Sequence, residues 1–409
     1  MKNRKGFTIT ELVIVIVVIA ILAAVLIPTF ASLIKKANIS ADTQLAKNLN
    51  TALSMAEAEG NKIETFNDAL TAMRENGYLV ANLNPTADGC YFVWESESNQ
   101  ILLVDGEKNF EIIYKSKDLA NATPGATWWF AVKDATTIDA LKAAAGADIN
   151  VFHTPENKDA LLNAFQDLTN KEGAQTVVVS DNINLSKPGE IFKVNKATAD
   201  VTVDLAGTTV NCAGAIDIND YEAGKADRAF TVEAGKLTVA NGTVNAGDTY
   251  GTIKANGDVE VTVNNMTLIN TKAWGLNLKT TNANAVIDVT DTTINATTGG
   301  GCEAAYGTIN LTNVTINQTG YYDHCSTCVA ASGGTGLANI YSGSYNSENA
   351  VLDIFSSGGT IKIYGGSFNG QDWKSITTVE GWNALLGAAK DRATITIASD
   401  CVTITCGEW

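Results

Sequence analysis

The chain has 409 residues, of which 18% are charged, with 35 glycines, only 5 prolines and a formal net charge of −16. A chain of this length predicts two or three domains, and the composition is typical of β-sheet with many turns rather than of disorder. The acidic balance argues against nucleic-acid binding, because phosphate neutralisation needs clustered Lys and Arg, of which there are 28 in all.

The first predicted element is an apolar segment near the N-terminus. Phe7–Ile27 supplies 21 residues, enough for a helix to cross a bilayer. Lys2, Arg4 and Lys5 precede it without an acidic residue, so the positive-inside bias predicts a single-pass protein with its N-terminus in the cytoplasm and the rest exported. A secretory signal peptide is disfavoured, because the apolar core is too long and no small-x-small step follows it.

Glu11 lies at the head of this apolar run. A charge costs about 2.5–3.5 kcal/mol near the bilayer centre, less toward an end, and is by default a functional residue with a cationic partner. If a peptidase cut between Gly6 and Phe7, the basic leader would be lost and Phe7 would carry a new amine four residues from Glu11. We predict that amine as the cation; the alternative is a plain membrane anchor whose Glu11 reaches the interface.

The segment KGFTITELVIVIVVIAIL, followed by Pro28, resembles the class III signal of type IV prepilins and pseudopilins. The resemblance implies removal of residues 1–6 by a prepilin peptidase, cutting after Gly6, and N-methylation of Phe7. It implies that an assembly platform extracts the chain from the membrane into a cell-surface filament of pilin subunits. It further implies that Glu11 neutralises the Phe7 amine of a neighbouring subunit and that Pro28 loosens the helix.

Two small regions follow the apolar run. Helical spacing continues to about residue 59, so residues 7–59 are predicted to form one helix that stops at Gly60. A helix capped by Thr65 and Asp68 and ended by Gly77, followed by three short strands, predicts a helix-plus-meander head over residues 60–117. Its phrase VWESESNQILLVD resembles the small head of Gram-positive-type prepilins. Residues 118–175 predict an α/β connector, in which Trp128 and Trp129 are expected to pack rather than to bind.

Residues 176–409 are repetitive, with recurring phrases such as VTVNNMTLIN and TINLTNVTIN. Each repeat carries an apolar anchor 22 to 29 residues after the previous one; the anchors are Val244, Leu268, Ile294, Ile316, Tyr345 and Phe368. A single unit that alternates apolar and polar residues cannot bury its inner face alone. The repeats therefore predict a parallel β-helix, in which successive coils stack about 4.8 Å apart. The repeats resemble the pectin-lyase-like right-handed β-helix at the level of the fold; a stacked sandwich or propeller is the alternative. The predicted fold class is α+β, a long helix with a small head followed by this solenoid.

Cysteine spacing tests the coil hypothesis. Cys302 and Cys325 follow the anchors of their coils by 8 and 9 residues, so they should lie almost above one another, within the Cα separation of a disulfide. Export permits oxidation, and we predict a Cys302–Cys325 bridge, with Cys328 as the competing partner. The stretch HCSTC could instead bind zinc, but it lacks a second ligand pair, so no metal or other cofactor is predicted.

Candidate ligand sites in the repeats are weaker. In the stretch DINDYE, Asp217, Asn219 and Asp220 offer oxygen ligands that suit calcium, although a solvated loop is the simpler interpretation. No general base is visible, so catalysis is not predicted. Five aromatic residues could stack on glycans, although some of them are expected to be core or end-cap residues; they are Trp274, Tyr321, Tyr322, Trp373 and Trp382.

Taken together, the patterns predict a structural subunit of a type IV pilus-like surface filament, either a large major pilin or a minor pilin. Its β-helix would act in adhesion, with a glycan or a host-surface ligand as partner. The alternatives are a pseudopilin of a type II secretion-like system and a membrane-anchored polysaccharide lyase or hydrolase.

Overall fold

The structure, a computed structural model, describes most of the chain. The described ranges are 9–78, 83–132, 138–146, 149–154, 158–179, 182–186, 190–212, 228–247, 251–270, 274–280, 282–321, 326–355, 358–387 and 390–406. They divide into two compact units. The stem-and-head unit lies within residues 1–78, 82–131 and 141–150, and the solenoid unit within residues 132–140 and 151–409.

The stem is a single 50-residue helix, α1, spanning Ile9–Ala58. It ends as predicted, since Gly60 has a φ of +92°. The N–H groups of Gly60 and Asn61 donate to the carbonyls of Glu57 and Ala56 at 3.1 and 3.0 Å, which satisfies the last turn. Among the described helices α1 is the one that is long and apolar enough to cross a membrane.

The head combines one helix with a small antiparallel sheet. Its elements are α2, Phe66–Glu75; β1, Cys90–Glu95; β2, Gln100–Asp105; β3, Glu111–Tyr114; and β4, Trp128–Val132, with a 3-10 turn at Gly106–Lys108. The strand order is β4-β1-β2-β3. The predicted helix and meander are therefore confirmed, and the sheet has a fourth strand beyond residue 117. A further helix, α3, spans Ile138–Ala145.

Local sequence signals explain the head. At the start of α2 the Thr65 hydroxyl accepts from the Asp68 N–H at 3.2 Å, and the Asp68 carboxylate accepts from the Thr65 N–H at 2.8 Å, which is the capping box that the sequence predicts. Trp128 is fully buried, and the ring of Trp129 stacks on Phe66 with centroids 5.7 Å apart. Both tryptophans therefore pack, as predicted.

The remaining elements begin with β5, Asn150–His153, and α4, Lys158–Leu168. The strands that follow are β6, Ala174–Val178; β7, Ile183–Leu185; β8, Phe192–Asp204; β9, Thr209–Cys212; β10, Phe230–Asn245; β11, Ile253–Asn270; β12, Trp274–Lys279; β13, Val286–Thr290; β14, Thr293–Ala296; β15, Gly300–Ala305; β16, Thr308–Thr312; β17, Val314–Gln318; β18, Thr327–Ser332; β19, Leu337–Ile340; β20, Gly343–Ser347; β21, Ala350–Ile354; β22, Thr360–Ile363; β23, Ser367–Phe368; β24, Gln371–Asp372; β25, Ala393–Ile397; and β26, Val402–Cys406. A 3-10 turn at Trp373–Ser375 and the short helix α5, Val379–Asn383, lie near the end.

These strands form a parallel solenoid of about seven turns with three faces. Face A contains β6, β13, β16, β19 and β22; face B contains β7, β9, β14, β17, β20 and β23; and face C contains β12, β15, β18 and β21. The long strands β10 and β11 turn two corners and contribute to all three faces, and β8 contributes to faces C and A. Since successive coils pair in parallel, the predicted β-helix is confirmed and the sandwich or propeller is excluded.

The predicted anchors form one continuous inward row on face B. Val244, Leu268, Ile294, Ile316, Tyr345 and Phe368 pair in register from coil to coil. Each of them is 0% exposed. Each coil thus buries its apolar residues only against its neighbours, which is why the repeat unit needs stacking.

The corner between faces A and B is built from residues that tolerate a left-handed backbone. Asn241, Asn265, Asp291 and Asn313 occupy it with φ between 49° and 62°. The Asn265 amide donates to Asn241 at 3.0 Å and the Asn313 amide donates to Asp291 at 2.6 Å, which links corners of adjacent coils. The corner is therefore fixed by side-chain hydrogen bonds as well as by the strand ladder.

Aromatic residues close the two ends of the solenoid core. At the N-terminal end Phe165 of α4 meets Phe192 edge-on, with centroids 5.1 Å apart. At the C-terminal end the fully buried Trp382 of α5 meets Phe368 edge-on at 5.4 Å. In addition, β26 pairs antiparallel with β22, and β25 with β26. Such caps are required because a terminal coil would otherwise expose its apolar inner face.

Candidate functional site

The segment that is predicted to act in assembly is the N-terminal part of α1. Glu11 lies in its first turn and is exposed. The large apolar side chains from Leu12 to Ile27 are between 47% and 67% exposed. A helix surface this apolar requires lipid or other helices around it. Gly6 and Phe7, the predicted processing residues, lie outside the described residues.

Pro28 lies inside α1, and the helix continues through it. Proline has no N–H, so one i to i−4 backbone hydrogen bond is missing here, and the ring crowds the preceding turn. The adjacent Thr29 hydroxyl donates to the Val25 carbonyl at 2.8 Å, an additional bond within the same turn. The helix is therefore intact but weakened at Pro28, where bending or melting costs least.

Buried polar side chains connect the second half of α1 to the head. The Asp42 carboxylate accepts from the N–H groups of Thr86 and Ala87 at 2.9 and 2.8 Å. The Asn50 amide donates to the Ile101 carbonyl and accepts from the Ile101 N–H, both at 2.8 Å, so it mimics a strand partner for β2. Sequence reasoning missed these residues, because a polar side chain on a helix is normally interpreted as solvent-facing. They fix the head to the stem.

The N-terminal segment matches a known family. Residues 1–27 match the family described as the prokaryotic N-terminal methylation motif. The N-terminal segment carries a prepilin-type methylation motif. The predicted prepilin-type signal is thereby confirmed, and α1 supplies the long apolar helix that the signal implies.

Two curated proteins are similar to the same region. The chain is 53% identical over 57 residues to "Type IV wide pilus major component PilA4" of Thermus thermophilus, a match that covers 14% of the chain and 41% of that protein. It is 42% identical over 60 residues to "Fimbrial protein" of Moraxella nonliquefaciens, which covers 15% of the chain and 39% of that protein. The chain thus spans about two-fifths of the length of these relatives. These similarities support a pilus or pseudopilus subunit. No solved structure matches the chain.

Most of the predicted aromatic platforms are unavailable to a ligand. Trp274, Trp373 and Trp382 are 6%, 8% and 0% exposed, so they are the core and end-cap residues that were expected among this set. Tyr321 is 70% exposed, and Tyr322 lies outside the described residues. Alternation along the sequence could not separate these cases, because the corners between faces interrupt the two-residue period.

The calcium hypothesis stays a prediction. Asp217, Asn219 and Asp220 all lie outside the described residues. Within the described ranges, no group of three or more His, Cys, Asp or Glu side chains is placed to hold a metal ion.

The cysteines of face C are buried thiols. Cys302 on β15 is 0% exposed and pairs in register with Val329 of β18, next to Cys328, which is also 0% exposed. Burial raises the pKa of both thiols well above the usual range, which disfavours the reactive thiolate. Cys325 lies outside the described residues, so the Cys302–Cys325 bridge stays a prediction.

Peptide mapping of the exported protein tests this bridge. We expect one cross-linked peptide pair that contains Cys302 and Cys325 when the chain is alkylated and digested without reductant. Reduction before alkylation should release the two peptides and serves as the control. A Cys302–Cys328 pair, or alkylated Cys302 without reduction, would contradict the prediction.

Sequence reasoning also missed a buried, hydrogen-bonded carboxyl group on face C. Glu303 on β15 accepts from the Asn277 amide at 2.8 Å and from the Ser332 hydroxyl at 2.9 Å, one partner from each adjacent coil. Burial raises the pKa of the Glu303 carboxyl, outweighing these bonds and the nearby charges of Lys279 and Arg228, which lower it. No sequence signal marks the site, since Glu303 is an isolated acid within GGCEAA.

Glu303 should make the solenoid less stable as the pH rises. A carboxyl whose folded-state pKa is raised contributes stability that is fully present below its ordinary pKa of 4.5 and is lost as the pH rises through the folded-state value. Glu303→Gln, which stays uncharged, should therefore raise the Tm at pH 7 by about 2–4 °C for each 1 kcal/mol recovered, and leave it nearly unchanged at pH 4. Thermal unfolding followed by circular dichroism measures the shift, with the exposed Glu172→Gln as control. A shift of equal size at both pH values would refute the role of ionisation.

Proposed function

We propose that the chain is a structural pilin of a type IV pilus-like filament, in which the stem builds the filament core and the solenoid is displayed for adhesion. The observation that carries the proposal is the methylation motif at residues 1–27 joined to a helix whose apolar N-terminal half is exposed. Lipid covers such a helix before assembly, and neighbouring stems cover it afterwards. The proposal makes the protein a structural component and not an enzyme.

Assembly depends on one charge pair. A prepilin peptidase cuts after Gly6, Phe7 is methylated, and the assembly platform moves the helix from the membrane to the filament. There Glu11 holds the Phe7 amine of a neighbouring subunit. Desolvation offsets most of the attraction between two buried ions, but loss of one partner costs about 3–5 kcal/mol. The pair therefore selects the register of packing more than it adds affinity.

Three hydrogen-bonded side-chain connections hold the head on the stem, which supports the proposal that the stem carries the rest of the chain on the filament. The head is attached to α1 by Asp42, by Asn50 and by an ion pair between Lys35 and Glu107, whose Nζ and Oε2 atoms lie 2.5 Å apart. The ion pair is partly exposed and contributes little, whereas the buried Asp42 and Asn50 would leave unsatisfied backbone groups if removed. The display role of the solenoid rests on its size and its long regular faces, which are suitable binding surfaces.

Mass spectrometry of sheared surface filaments tests the proposal. We expect filaments that contain this chain, with an N-terminal peptide beginning at N-methylated Phe7. A strain carrying Gly6→Val should block cleavage and keep the chain in the membrane fraction. If the chain is absent from surface filaments but processed at Phe7, a pseudopilin is the better assignment. If the exported chain retains residues 1–6, both are refuted.

A further inference from the structure

Face B carries two outward rows that repeat in register over the solenoid. The first is a hydroxyl row made of Thr209, Thr243, Thr267, Thr293 and Thr315, continued by Ser344 and Ser367. The second lies two residues further along each strand and is an amide row made of Asn184, Asn211, Asn245, Asn295, Asn317 and Asn346, interrupted at Ile269. The two rows are about 6.7 Å apart along each strand, and successive members of one row are about 4.8 Å apart between coils.

Face B is uncharged, in a protein of net charge −16. Asp, Glu, Lys and Arg are absent from β7, β9, β14, β17, β20 and β23, and from the parts of β10 and β11 that lie on this face, residues 243–245 and 267–270. In the same coils face A carries charges at Lys236, Glu260 and Asp288. The preference of strands for Thr applies to all faces equally, so it does not explain why charged residues are absent from one of them.

The threonine part of the hydroxyl row is available for binding, whereas the Ser367 hydroxyl donates to the Ser344 hydroxyl at 3.3 Å and the Ser344 hydroxyl also accepts from the Asn346 amide at 3.2 Å. Within the described part of the chain, the side-chain hydroxyls of the five threonines make no hydrogen bond to the protein, and each of these residues is partly exposed. The amide row is ordered beforehand, since Asn317 donates to Asn295 at 3.1 Å and Asn346 donates to Asn317 at 3.2 Å. An amide in such a ladder keeps spare donors and acceptors, and little entropy is lost when an ordered side chain binds.

We propose that face B binds a neutral polysaccharide laid along the solenoid axis; this rests on the proposed display of the solenoid. Hydroxyl and amide groups both donate and accept, as sugar hydroxyls do, and an uncharged surface does not require an ionic partner. The hydroxyl row spans six coil steps, about 29 Å, which suits a polymer rather than a single sugar.

Co-sedimentation of the full chain in detergent micelles with cellulose, chitin and starch particles tests the proposal. We expect binding to at least one of these neutral glycans. The triple variant Thr267→Val, Thr293→Val, Thr315→Val keeps the side-chain shape and removes only the hydroxyls, so it should fold normally by circular dichroism and bind at least about tenfold more weakly. The matched variant on face A, Thr238→Val, Thr262→Val, Thr308→Val, should change binding less than about twofold.

Three results would overturn the proposal: no binding to any neutral glycan, equal loss in both triple variants, or self-association of the chain through face B in analytical ultracentrifugation. Filament incorporation of the face B variant separates this test from that of the proposed function. We expect the variant to be cleaved at Phe7 and built into filaments as well as the wild type, since face B lies outside the assembly helix.

Discussion

Glu11→Ala should abolish filament formation while leaving the chain in the membrane. In the proposed filament, removal of the carboxylate leaves the Phe7 amine of a neighbouring subunit unpaired in a dry helix bundle, which costs about 3–5 kcal/mol per contact. Since each 1.4 kcal/mol is a factor of ten, the yield of sheared filaments should fall at least about a hundredfold. Insertion should not suffer, because an apolar segment without a charge crosses the bilayer more easily. Immunoblots of sheared and membrane fractions measure both quantities.

Two further variants serve as controls for the Glu11→Ala experiment. Glu59→Ala removes an exposed acid just beyond the C-terminal end of the same helix, so filaments should form normally. Glu11→Gln keeps the size of the side chain and removes only its charge, so it should fail as Glu11→Ala does. Normal polymerisation of Glu11→Ala would refute the charge pair, and equal failure of Glu59→Ala would point to general instability of the stem.

The periodic parts of the chain could be predicted from sequence, because one physical requirement repeats in them. The row from Val244 to Phe368 follows from the need of each coil to bury apolar residues against the next. The stop at Gly60 and the capping box of Thr65 and Asp68 were equally predictable, since each is a local backbone requirement.

Contacts between distant segments could not be predicted in the same way. Asn50 bonds to Ile101, 51 positions away, and Glu303 collects partners from both adjacent coils. Trp274 and Trp382 are core residues, although a tryptophan ring could also serve as a binding platform. In each case the environment of the side chain is made by residues that are remote in sequence, so the residue type at one position does not indicate that environment. The uncharged face B was visible only once strand register had sorted the alternating residues into separate faces.

The stem and the solenoid rely on burial in different ways. The apolar half of α1 leaves its surface exposed in the single chain, so its stabilising partner must be lipid or other subunits. The solenoid buries its inward rows completely within one chain. A substitution in the stem should therefore affect assembly more than folding, and a substitution in an inward row should affect folding first.

Ile316→Ala should destabilise the solenoid by about 2–5 kcal/mol, and Ile316→Asp should prevent it from folding, because a buried carboxylate without a partner costs several kcal/mol more. Ile316 is 0% exposed and lies in register between Ile294 and Tyr345, so a defect here separates the coils on both sides. The neighbouring Thr315 points outward on the same strand, and Thr315→Ala should change the free energy of unfolding by less than about 0.5 kcal/mol. Urea unfolding of the full chain in detergent, followed by the sheet signal in circular dichroism, measures all three. Equal destabilisation by Ile316→Ala and Thr315→Ala would mean that the two residues do not face opposite sides of the sheet, and the register of face B, on which the hydroxyl row depends, would then be wrong.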